Sequence, residues 1–241
     1  MEGRRAVREA LAARRRRLRE VWVAGDLEPA PVLDEILALA RDSGVPVKPT
    51  PRIDSIARTA AHQGVVARGD PLPAAVDDEL LSDPGAFLVA LDGVTDPQNL
   101  GAIVRVAEAA GATGLLLPRR RSVHVTPAVT KAAAGAVEYL PIALVPGIPA
   151  LLGRAAAAGV WTVGLDERAG TGLFELDVGQ ARVLLVLGAE GRGLSRLARE
   201  RCDVVAGIAM RGRLRSLNVA AAGALACYEI ARRRAALPGS L

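Results

Sequence analysis

The chain has 241 residues, which is enough for one large domain or for a small domain followed by a medium one. Hydrophobic residues make up 51% of it but aromatic residues only 2%, so alanine, valine and leucine must build the core. Its 31 lysines and arginines exceed its 26 aspartates and glutamates, and the resulting net charge of +5 is compatible with a polyanionic partner without identifying one.

Neither a membrane segment nor a metal site is indicated by the sequence. The N-terminal stretch MEGRRAVREALAARRRRLREVWVAG lacks the apolar core of a signal peptide, and no uncharged apolar run is long enough to cross a bilayer. Cys202 and Cys227 lie far apart, without a C-x-x-C motif or a nearby histidine, which favours buried apolar roles. We therefore predict a cytoplasmic protein with no membrane partner and no metal.

The first third of the chain has the pattern of a small α/β unit. Residues 5–20 are predicted to form a helix and VWVAG a strand. A second helix is predicted over residues 32–43, ending at Gly44, and VPVKPT begins another strand.

A linker is predicted after this unit, because proline, glycine and acidic residues concentrate over residues 67–85. We place the N-terminal domain at residues 1–75, the linker at 76–86 and the C-terminal domain at 87–241.

Apolar strands alternate with helices in the C-terminal part. The predicted strands are AFLVALDGV, GLLLP, LPIALV, VWTVGLD, ARVLLVLG and CDVVAGIAM, and the helices lie near residues 100–110, 126–134 and 149–158, after ARVLLVLG, and at the C-terminal end. Continuous apolar strands separated by helices indicate a parallel sheet covered on both faces. Functional groups are then expected in the loops at the carboxyl ends of the strands.

The first polar strand end is LDGVTDPQNLGAIVRVAEAAG, residues 91–111. Asn99 is suited to cap the following helix, which Gly111 would end. Arg105 falls on one helical stripe with Glu108, so a surface ion pair between the two is an alternative to a functional role.

Two further strand ends carry similar groups. In VLLVLGAEGRGLSR, glycines surround Glu190 and let backbone N–H groups approach a ligand, although a plain glycine-rich turn is equally compatible. The spacing matches neither G-x-G-x-x-G nor a phosphate loop. In MRGRLRSLNVAAAG, Ser216 or Asn218 can cap a helix, and the small residues after it permit close packing of another backbone.

Together, in this order and spacing, the three stretches resemble the three motifs of the SpoU (TrmH-type) RNA ribose 2′-O-methyltransferases, within the knotted SPOUT superfamily. DPQNLGAIVRVAEAAG is similar to the first motif, LVLGAEGRGL to the second and MRGRLRSLNVAAAG to the third. GRRAVREAL near the start and HQGVVA resemble the N-terminal substrate-binding domain of the subgroup that methylates a guanosine ribose in 23S ribosomal RNA.

The resemblance implies an α/β fold with two parts. A small N-terminal α/β domain would bind RNA, and a C-terminal parallel-sheet domain would thread into a deep trefoil knot, a rare exception to unthreaded chain connections. Family members form homodimers through the catalytic domain, with the active site close to the interface. S-adenosylmethionine would lie bent in the knot, and its lack of a pyrophosphate agrees with the missing dinucleotide fingerprint.

The resemblance also assigns roles to residues of the three motifs. The cofactor-binding residues it implies are Leu187, Gly188, Gly191, Gly193, Ile208, Met210 and Leu217. The catalytic residues it implies are Asn99, Arg105, Glu190, Ser216 and Asn218. A guanidinium is practically always protonated, so Arg105 is expected to stabilise the developing alkoxide or to bind the adjacent phosphate rather than to act as a simple base. No metal is required.

RNA phosphates are the predicted partners of two sets of arginines, although a solvated rim is the alternative interpretation. These are Arg119, Arg120 and Arg121 after GLLLP, and Arg211, Arg213 and Arg215 in the third motif. The arginine run 14–17, if helical, would face all sides of its helix, so only part of it would meet RNA at once.

Some residues depart from the family pattern. Alanine stands at 209 where proline is common, and at 220 and 133 where serine is usual, which puts details of cofactor packing and substrate contact in doubt.

Two RNA targets besides the 23S ribosomal guanosine stay open, namely a transfer-RNA guanosine and an antibiotic-protecting ribosomal adenosine. A non-catalytic RNA-binding homologue is a further alternative.

Overall fold

The computed structural model describes residues 1–60, 62–178, 181–213 and 216–235. Within these residues the helices are α1 (Arg4–Ala13), α2 (Pro31–Asp42), α3 (Ile53–Ile56), α4 (Asp77–Ser82), α5 (Pro97–Ala109), α6 (Pro127–Ala132), α7 (Ile148–Ala157), α8 (Arg196–Arg201) and α9 (Val219–Ala235). The strands are β1 (Leu18–Ala24), β2 (Val47–Thr50), β3 (Val65–Gly69), β4 (Phe87–Asp92), β5 (Gly114–Pro118), β6 (Ile142–Val145), β7 (Trp161–Leu165), β8 (Thr171–Gly172), β9 (Val183–Gly188) and β10 (Val204–Gly207).

The chain folds into two compact units. The first consists of Met1–Pro73 and Val125–Tyr139, and the second of Ala74–His124 and the described residues from Leu140 onward. No helix of the described ranges is both long and apolar enough to cross a membrane.

A three-stranded sheet in the order β2-β1-β3 organises the first unit. Strand β1 runs parallel to β2 and antiparallel to β3. Val7 and Leu11 of α1, Val21 of β1 and Ile36 of α2 are buried together in its core. Their burial explains the helical spacing of apolar residues in these segments, because α1 and α2 each turn one apolar stripe toward the sheet.

The predicted helix over residues 5–20 is wrong in its second half. Helix α1 ends at Ala13, because Arg14 adopts a left-handed conformation with φ 50°. Leu18 then begins β1, where pairing with two neighbouring strands outweighs the helix propensity of the arginine-rich sequence. The arginine run therefore does not surround a helix, and Arg16 forms an ion pair with the buried carboxylate of Glu138.

The second unit contains a seven-stranded sheet in the order β6-β5-β4-β9-β7-β10-β8. Every pairing in it is parallel, as the continuous apolar strands predict. Strands β5 and β9 are buried along their whole length. An α/β fold with a parallel sheet is thus confirmed, and the carboxyl ends of its strands share one edge.

Helices cover both faces of this sheet. Leu88 and Leu184 of adjacent strands pack in one cluster with Leu151 of α7, and burying each such side chain stabilises the unit by about 2 kcal/mol. On α9, a Cβ added at Gly223 would lie 2.9 Å from Leu187 Cδ1 of β9. The small residues of the last helix therefore allow it to approach the central strand closely.

Both cysteines have the apolar surroundings predicted for them. Cys227 is buried and Cys202 half-buried, and both are free thiols. Burial raises the pKa of each thiol to about 12. Both side chains therefore stay as neutral thiols at physiological pH.

Candidate active site

An open cleft lies at the carboxyl-end edge of the parallel sheet, beyond β7 and β9. Its empty volume is about 660 Å³, including the part that opens to solvent. Residues from four segments line it: the end of β7, the turn after β9, the segment that precedes α9 and the first turn of α9. All the residues with a predicted cofactor role lie in this lining, namely Leu187, Gly188, Gly191, Gly193, Ile208, Met210 and Leu217.

The turn after β9 needs glycine for two different reasons. A Cβ on Gly188 would collide with the carbonyl carbon of Gly193, because the turn folds back tightly on the strand end. Ala189 and Gly193 exchange two backbone hydrogen bonds across it, of 3.1 and 2.8 Å. Gly191 and Gly193 have φ values of +72° and +67°, in the left-handed region that favours glycine. The turn thus presents backbone rather than side chains to the cleft.

Asn218 joins the three polar motifs by hydrogen bonds. Its Nδ2 donates to Asn99 Oδ1 at 2.9 Å and to Glu190 Oε1 at 2.6 Å. Its Oδ1 accepts from the backbone N–H groups of Ala220 at 2.8 Å and Ala221 at 3.3 Å, so Asn218 also caps α9. Three of the five predicted catalytic residues are therefore in direct contact, and Ser216 lines the adjacent cleft.

The predicted capping role of Asn99 is wrong. Asp96 is the N-cap of α5, where its Oδ1 accepts from the backbone N–H of Gln98 at 3.0 Å. Asn99 instead lies inside the first turn, is 8% exposed and directs its side chain to Asn218. Because Asp96 satisfies the helix end, the Asn99 amide is available for the site. Gly111 follows the end of α5 with φ +78°, as predicted.

Arg105 stands apart from these contacts. It is exposed on α5, and it is not among the residues that line the cleft. Within the described ranges it makes no hydrogen bond or ion pair, and the alternative ion pair with Glu108 does not form. Its charge is therefore free to meet an external partner.

Two aspartates at strand ends, one beside the cleft and one in its lining, were not among the predicted site residues. Asp92, at the end of β4, accepts a hydrogen bond of 2.7 Å at Oδ2 from the backbone N–H of Ser195, which ties the segment after the β9 turn to β4. Asp166 follows β7 and lines the cleft. The signal was present, since each is a polar residue at the carboxyl end of an apolar strand.

Asp166 is a buried carboxylate held by two arginines. Its Oδ1 accepts from the Arg168 backbone N–H at 2.9 Å and from Arg168 Nε at 3.3 Å, and it pairs with Arg199. Burial alone raises the pKa of Asp166, but the Arg168 hydrogen bonds and the Arg199 charge outweigh it and hold the pKa below its usual range. Asp166 is therefore ionised at neutral pH.

Two family models match the chain. A model described as the SpoU rRNA Methylase family matches residues 86–228, and one described as RNA 2′-O ribose methyltransferase substrate binding matches residues 1–75. The chain belongs to the SpoU rRNA methylase family. Membership confirms the resemblance carried by the three motifs.

Curated members of the SpoU family are similar to most of this chain. The 23S rRNA (guanosine-2′-O-)-methyltransferase RlmB of Ralstonia nicotianae is 40% identical over 211 residues, which cover 86% of this chain and 84% of that protein. The protein of the same name from Pseudomonas putida is 36% identical over 236 residues, covering 95% and 94%.

A solved structure of the family agrees with the fold. The crystal structure of the SpoU methyltransferase AviRb from Streptomyces viridochromogenes, in complex with AdoMet, has a TM-score of 0.78 at 28% identity. The match covers 97% of this chain and 89% of that chain. This chain is an RNA 2′-O-methyltransferase of the SpoU family.

Proposed function

We propose that this SpoU methylase transfers a methyl group from S-adenosylmethionine to the ribose 2′-hydroxyl of a guanosine in 23S ribosomal RNA. The cleft beside the hydrogen-bonded Asn99, Asn218 and Glu190 side chains is the observation that carries the proposal. The similarity to proteins named as 23S rRNA guanosine 2′-O-methyltransferases, over 86% and 95% of this chain, supports the choice of target.

The residues of the cleft fit S-adenosylmethionine. Leu187, Ile208, Met210 and Leu217 supply apolar surface suited to an adenine ring, and Met210 and Leu217 are more than one-third exposed. The turn after Gly188 contains the glycines Gly191 and Gly193, which line the cleft without side chains, so its backbone groups are within reach of a ligand. When bound, the cofactor supplies a methyl group made electrophilic by a positively charged sulfur.

The Asn99–Asn218–Glu190 network orients the reacting groups. Methyl transfer would form a bond from the ribose oxygen to the methyl carbon of the cofactor while the carbon–sulfur bond breaks, which would leave neutral S-adenosylhomocysteine, and the hydroxyl proton would pass to water. Within the described residues both hydrogen bonds to Glu190 use Oε1, which leaves Oε2 to accept a hydrogen bond from the substrate. Side chains fixed by one another need less reorganisation when RNA binds, which favours a near-attack geometry.

Arg105 supplies charge in this mechanism. A guanidinium stays protonated, so it stabilises the alkoxide that develops on the ribose oxygen or binds the phosphate beside it. Its exposure and its lack of a partner within the described ranges support a role that begins only when RNA arrives. Ser216 lines the cleft, and its hydroxyl group assists Arg105 at the substrate.

RNA phosphates are bound by exposed arginines near this site. Arg119, Arg120 and Arg121 follow β5 and are exposed, as are Arg211 and Arg213. Arg215, the remaining predicted contact, lies outside the described residues. The domain division proposed is 1–75 for RNA binding, 76–86 as the linker and 87–241 for catalysis, and the substrate-binding model over residues 1–75 supports the first of these.

The active form is a homodimer that associates through α9. Ala221, Leu225 and Tyr228 are exposed on one stripe of this helix, at spacings of four and three residues. Leu225 and Tyr228 are 41% and 54% exposed, which is unusual for large apolar side chains so close to one another. Covering them with a second copy removes this surface from water.

Three further features belong to this proposal, and family membership supports them. The parallel-sheet unit is threaded as a deep trefoil knot, the reaction uses no metal, and the enzyme works in the cytoplasm on ribosomal RNA. Similarity to solved SpoU structures over 97% of this chain supports the knot.

The RNA target is tested by incubating the full chain with radiolabelled S-adenosylmethionine and either unmodified 23S ribosomal RNA or bulk transfer RNA. We expect label in the ribosomal RNA alone. Label in transfer RNA alone would keep the reaction and overturn the target. Cofactor binding without label in either RNA would favour a non-catalytic RNA-binding homologue.

A further inference from the structure

The loop between α1 and β1 turns its arginines in different directions. Arg16 points inward, where its side chain is 12% exposed and its guanidinium binds both oxygens of the buried Glu138 carboxylate. Arg14 and Arg17 are exposed, and neither side chain makes a hydrogen bond or an ion pair within the described ranges. The loop therefore presents two free guanidinium groups to solvent.

Contacts with the end of β3 hold this loop in place. The backbone N–H of Asp70 donates to the carbonyl oxygen of Arg17 at 2.9 Å, and Arg16 Nη1 donates to the carbonyl oxygen of Asp70 at 3.3 Å. A Cβ added at Gly69 would lie 2.9 Å from the same Arg17 oxygen, so the loop and the strand end are closely packed. A surface that is already ordered loses less conformational entropy when a ligand binds.

Three carboxylates of the first unit lie beside the loop or the strand ends next to it, and each is already paired with another cation. The pairs are Arg19–Asp70 at 2.7 Å, Lys48–Glu20 at 2.6 Å and Arg16–Glu138. Arg68 of β3 is also exposed, and its side chain has no partner in the part of the chain that the structure describes. Arg14, Arg17 and Arg68 therefore form an unbalanced positive surface, which we call the arginine surface.

The arrangement of the arginine surface suits a polyanionic chain. Leu18 pairs with Gly69, so Arg17 lies beside Asp70, and Arg68 precedes Asp70 by two residues, about 7 Å at strand spacing. The planar fork of a guanidinium matches the oxygens of a phosphate, and several such groups along one edge match successive phosphates.

We propose that the first unit binds the backbone phosphates of its RNA substrate through the arginine surface. This inference rests on the proposed RNA-binding role of residues 1–75, and it assigns that role to a particular surface. Phosphate contacts carry no sequence information, so this surface contributes affinity and orientation rather than the choice of nucleotide.

Salt-dependent filter binding of the full chain to unmodified 23S ribosomal RNA tests the inference. The variants are the double change Arg14→Gln/Arg17→Gln and the single change Arg68→Gln, none of which touches the buried Arg16–Glu138 pair. Circular dichroism melts establish that each variant is folded.

The matched control is Arg5→Gln/Arg52→Gln, which removes the same charge from the same unit. Both control side chains are exposed and lack a partner within the described ranges. Arg5 lies at the opposite end of α1 from Arg14, and Arg52 follows β2, whose last residue pairs with the end of β1 rather than with its start.

We expect Arg14→Gln/Arg17→Gln to weaken RNA binding about tenfold and to lower the slope of log K against log salt by about two, and Arg68→Gln to lower it by about one. The control pair is expected to change affinity by less than about twofold, because distant surface charges are screened. The RNA KM should rise in parallel with the loss of affinity. The kcat at saturating RNA and the affinity for S-adenosylhomocysteine should stay unchanged.

Unchanged affinity and slope in Arg14→Gln/Arg17→Gln, or an equal loss in the control pair, would overturn the inference. If the double variant does not fold, the parent protein still decides by arginine-selective reaction with phenylglyoxal. Bound RNA should protect Arg14 and Arg17 but not Arg5 and Arg52, and equal reaction at all four would overturn the inference.

The same measurements separate this inference from the proposed function. RNA binding that depends on the arginine surface, without methyl transfer by the parent protein, would contradict the proposed reaction and support the surface. Methyl transfer by Arg14→Gln/Arg17→Gln with the parent KM for RNA would overturn the surface and leave the reaction intact. A parent protein that does not bind 23S ribosomal RNA would contradict both.

Discussion

Arg105 is the residue whose proposed role depends most on what the protein meets. It is exposed and has no partner within the described ranges, so its removal disturbs no recorded contact of the fold. We predict that Arg105→Ala lowers the rate of methylation by about 100-fold or more, because charge stabilisation in the transition state is lost. Cofactor affinity, measured by calorimetry, is expected to stay within a few-fold.

Arg196→Ala is the matched control for this prediction. Arg196 is also an exposed helical arginine, with a side chain 78% exposed and paired to Glu200 on the surface of α8. It is expected to retain full methylation, since surface pairs of this kind contribute little. An active Arg105→Ala enzyme would remove Arg105 from the mechanism.

Gly191 tests the geometry of the turn beside the cofactor. Its φ of +72° is strained for any L side chain and most of all for a β-branched one, at about 1–2 kcal/mol. We predict that Gly191→Val reshapes the turn and weakens cofactor binding at least tenfold by calorimetry. Gly153→Val in α7, where nothing lies within 4 Å of an added Cβ and φ is not positive, should bind normally. Normal binding by the Gly191 variant would mean that the pocket has been misplaced.

At the level of elements, α9 connects the site with the proposed dimer interface. Asn218 caps its first turn, and Leu225 and Tyr228 lie exposed further along it. We predict that the unmodified protein is a dimer by light scattering and that Tyr228→Glu converts it to a monomer, because a buried charge at an apolar interface is costly.

The control variant for the dimer is Leu197→Glu on α8. Leu197 is 43% exposed, comparable to Tyr228, but lies on another helix. It should leave the dimer intact. If light scattering shows that the unmodified protein stays monomeric across micromolar concentrations, association through α9 is contradicted.

The elements also show how far sequence reasoning reaches. The strands of the parallel sheet were predictable because they are buried on both faces and read as continuous apolar runs, such as β9. The end of α1 at Ala13 was not, because strand pairing of β1 decides it and arginine-rich segments favour helices by propensity. The two-residue strand β8 carries too little pattern to be recognised.

Side-chain partners were harder to predict than elements. The motif resemblance placed Glu190 and Asn218 in one site, where they are hydrogen-bonded. It did not reveal that Asp96, rather than Asn99, caps α5, since both are good caps three positions apart. Asp166 was overlooked because its burial and its contacts with Arg168 and Arg199 appear only in three dimensions.

For the whole molecule, the net positive charge is compatible with the RNA substrate that the two family models indicate. A net charge of +5 and exposed arginines suit a polyanionic substrate, and the models match an RNA substrate-binding segment and a methylase segment. The compact units contain one feature that composition did not indicate. Residues Val125–Tyr139 belong with Met1–Pro73, although the linker lies between them in the sequence.

The central claim is that the chain methylates a ribose hydroxyl rather than a base. The most direct measurement is mass spectrometry of nucleosides from 23S ribosomal RNA treated with the enzyme and S-adenosylmethionine, combined with alkaline hydrolysis. We predict a single new product, 2′-O-methylguanosine, whose 3′ phosphodiester bond resists alkali because the neighbouring hydroxyl is blocked. A base-methylated guanosine with normal alkaline cleavage would contradict the account.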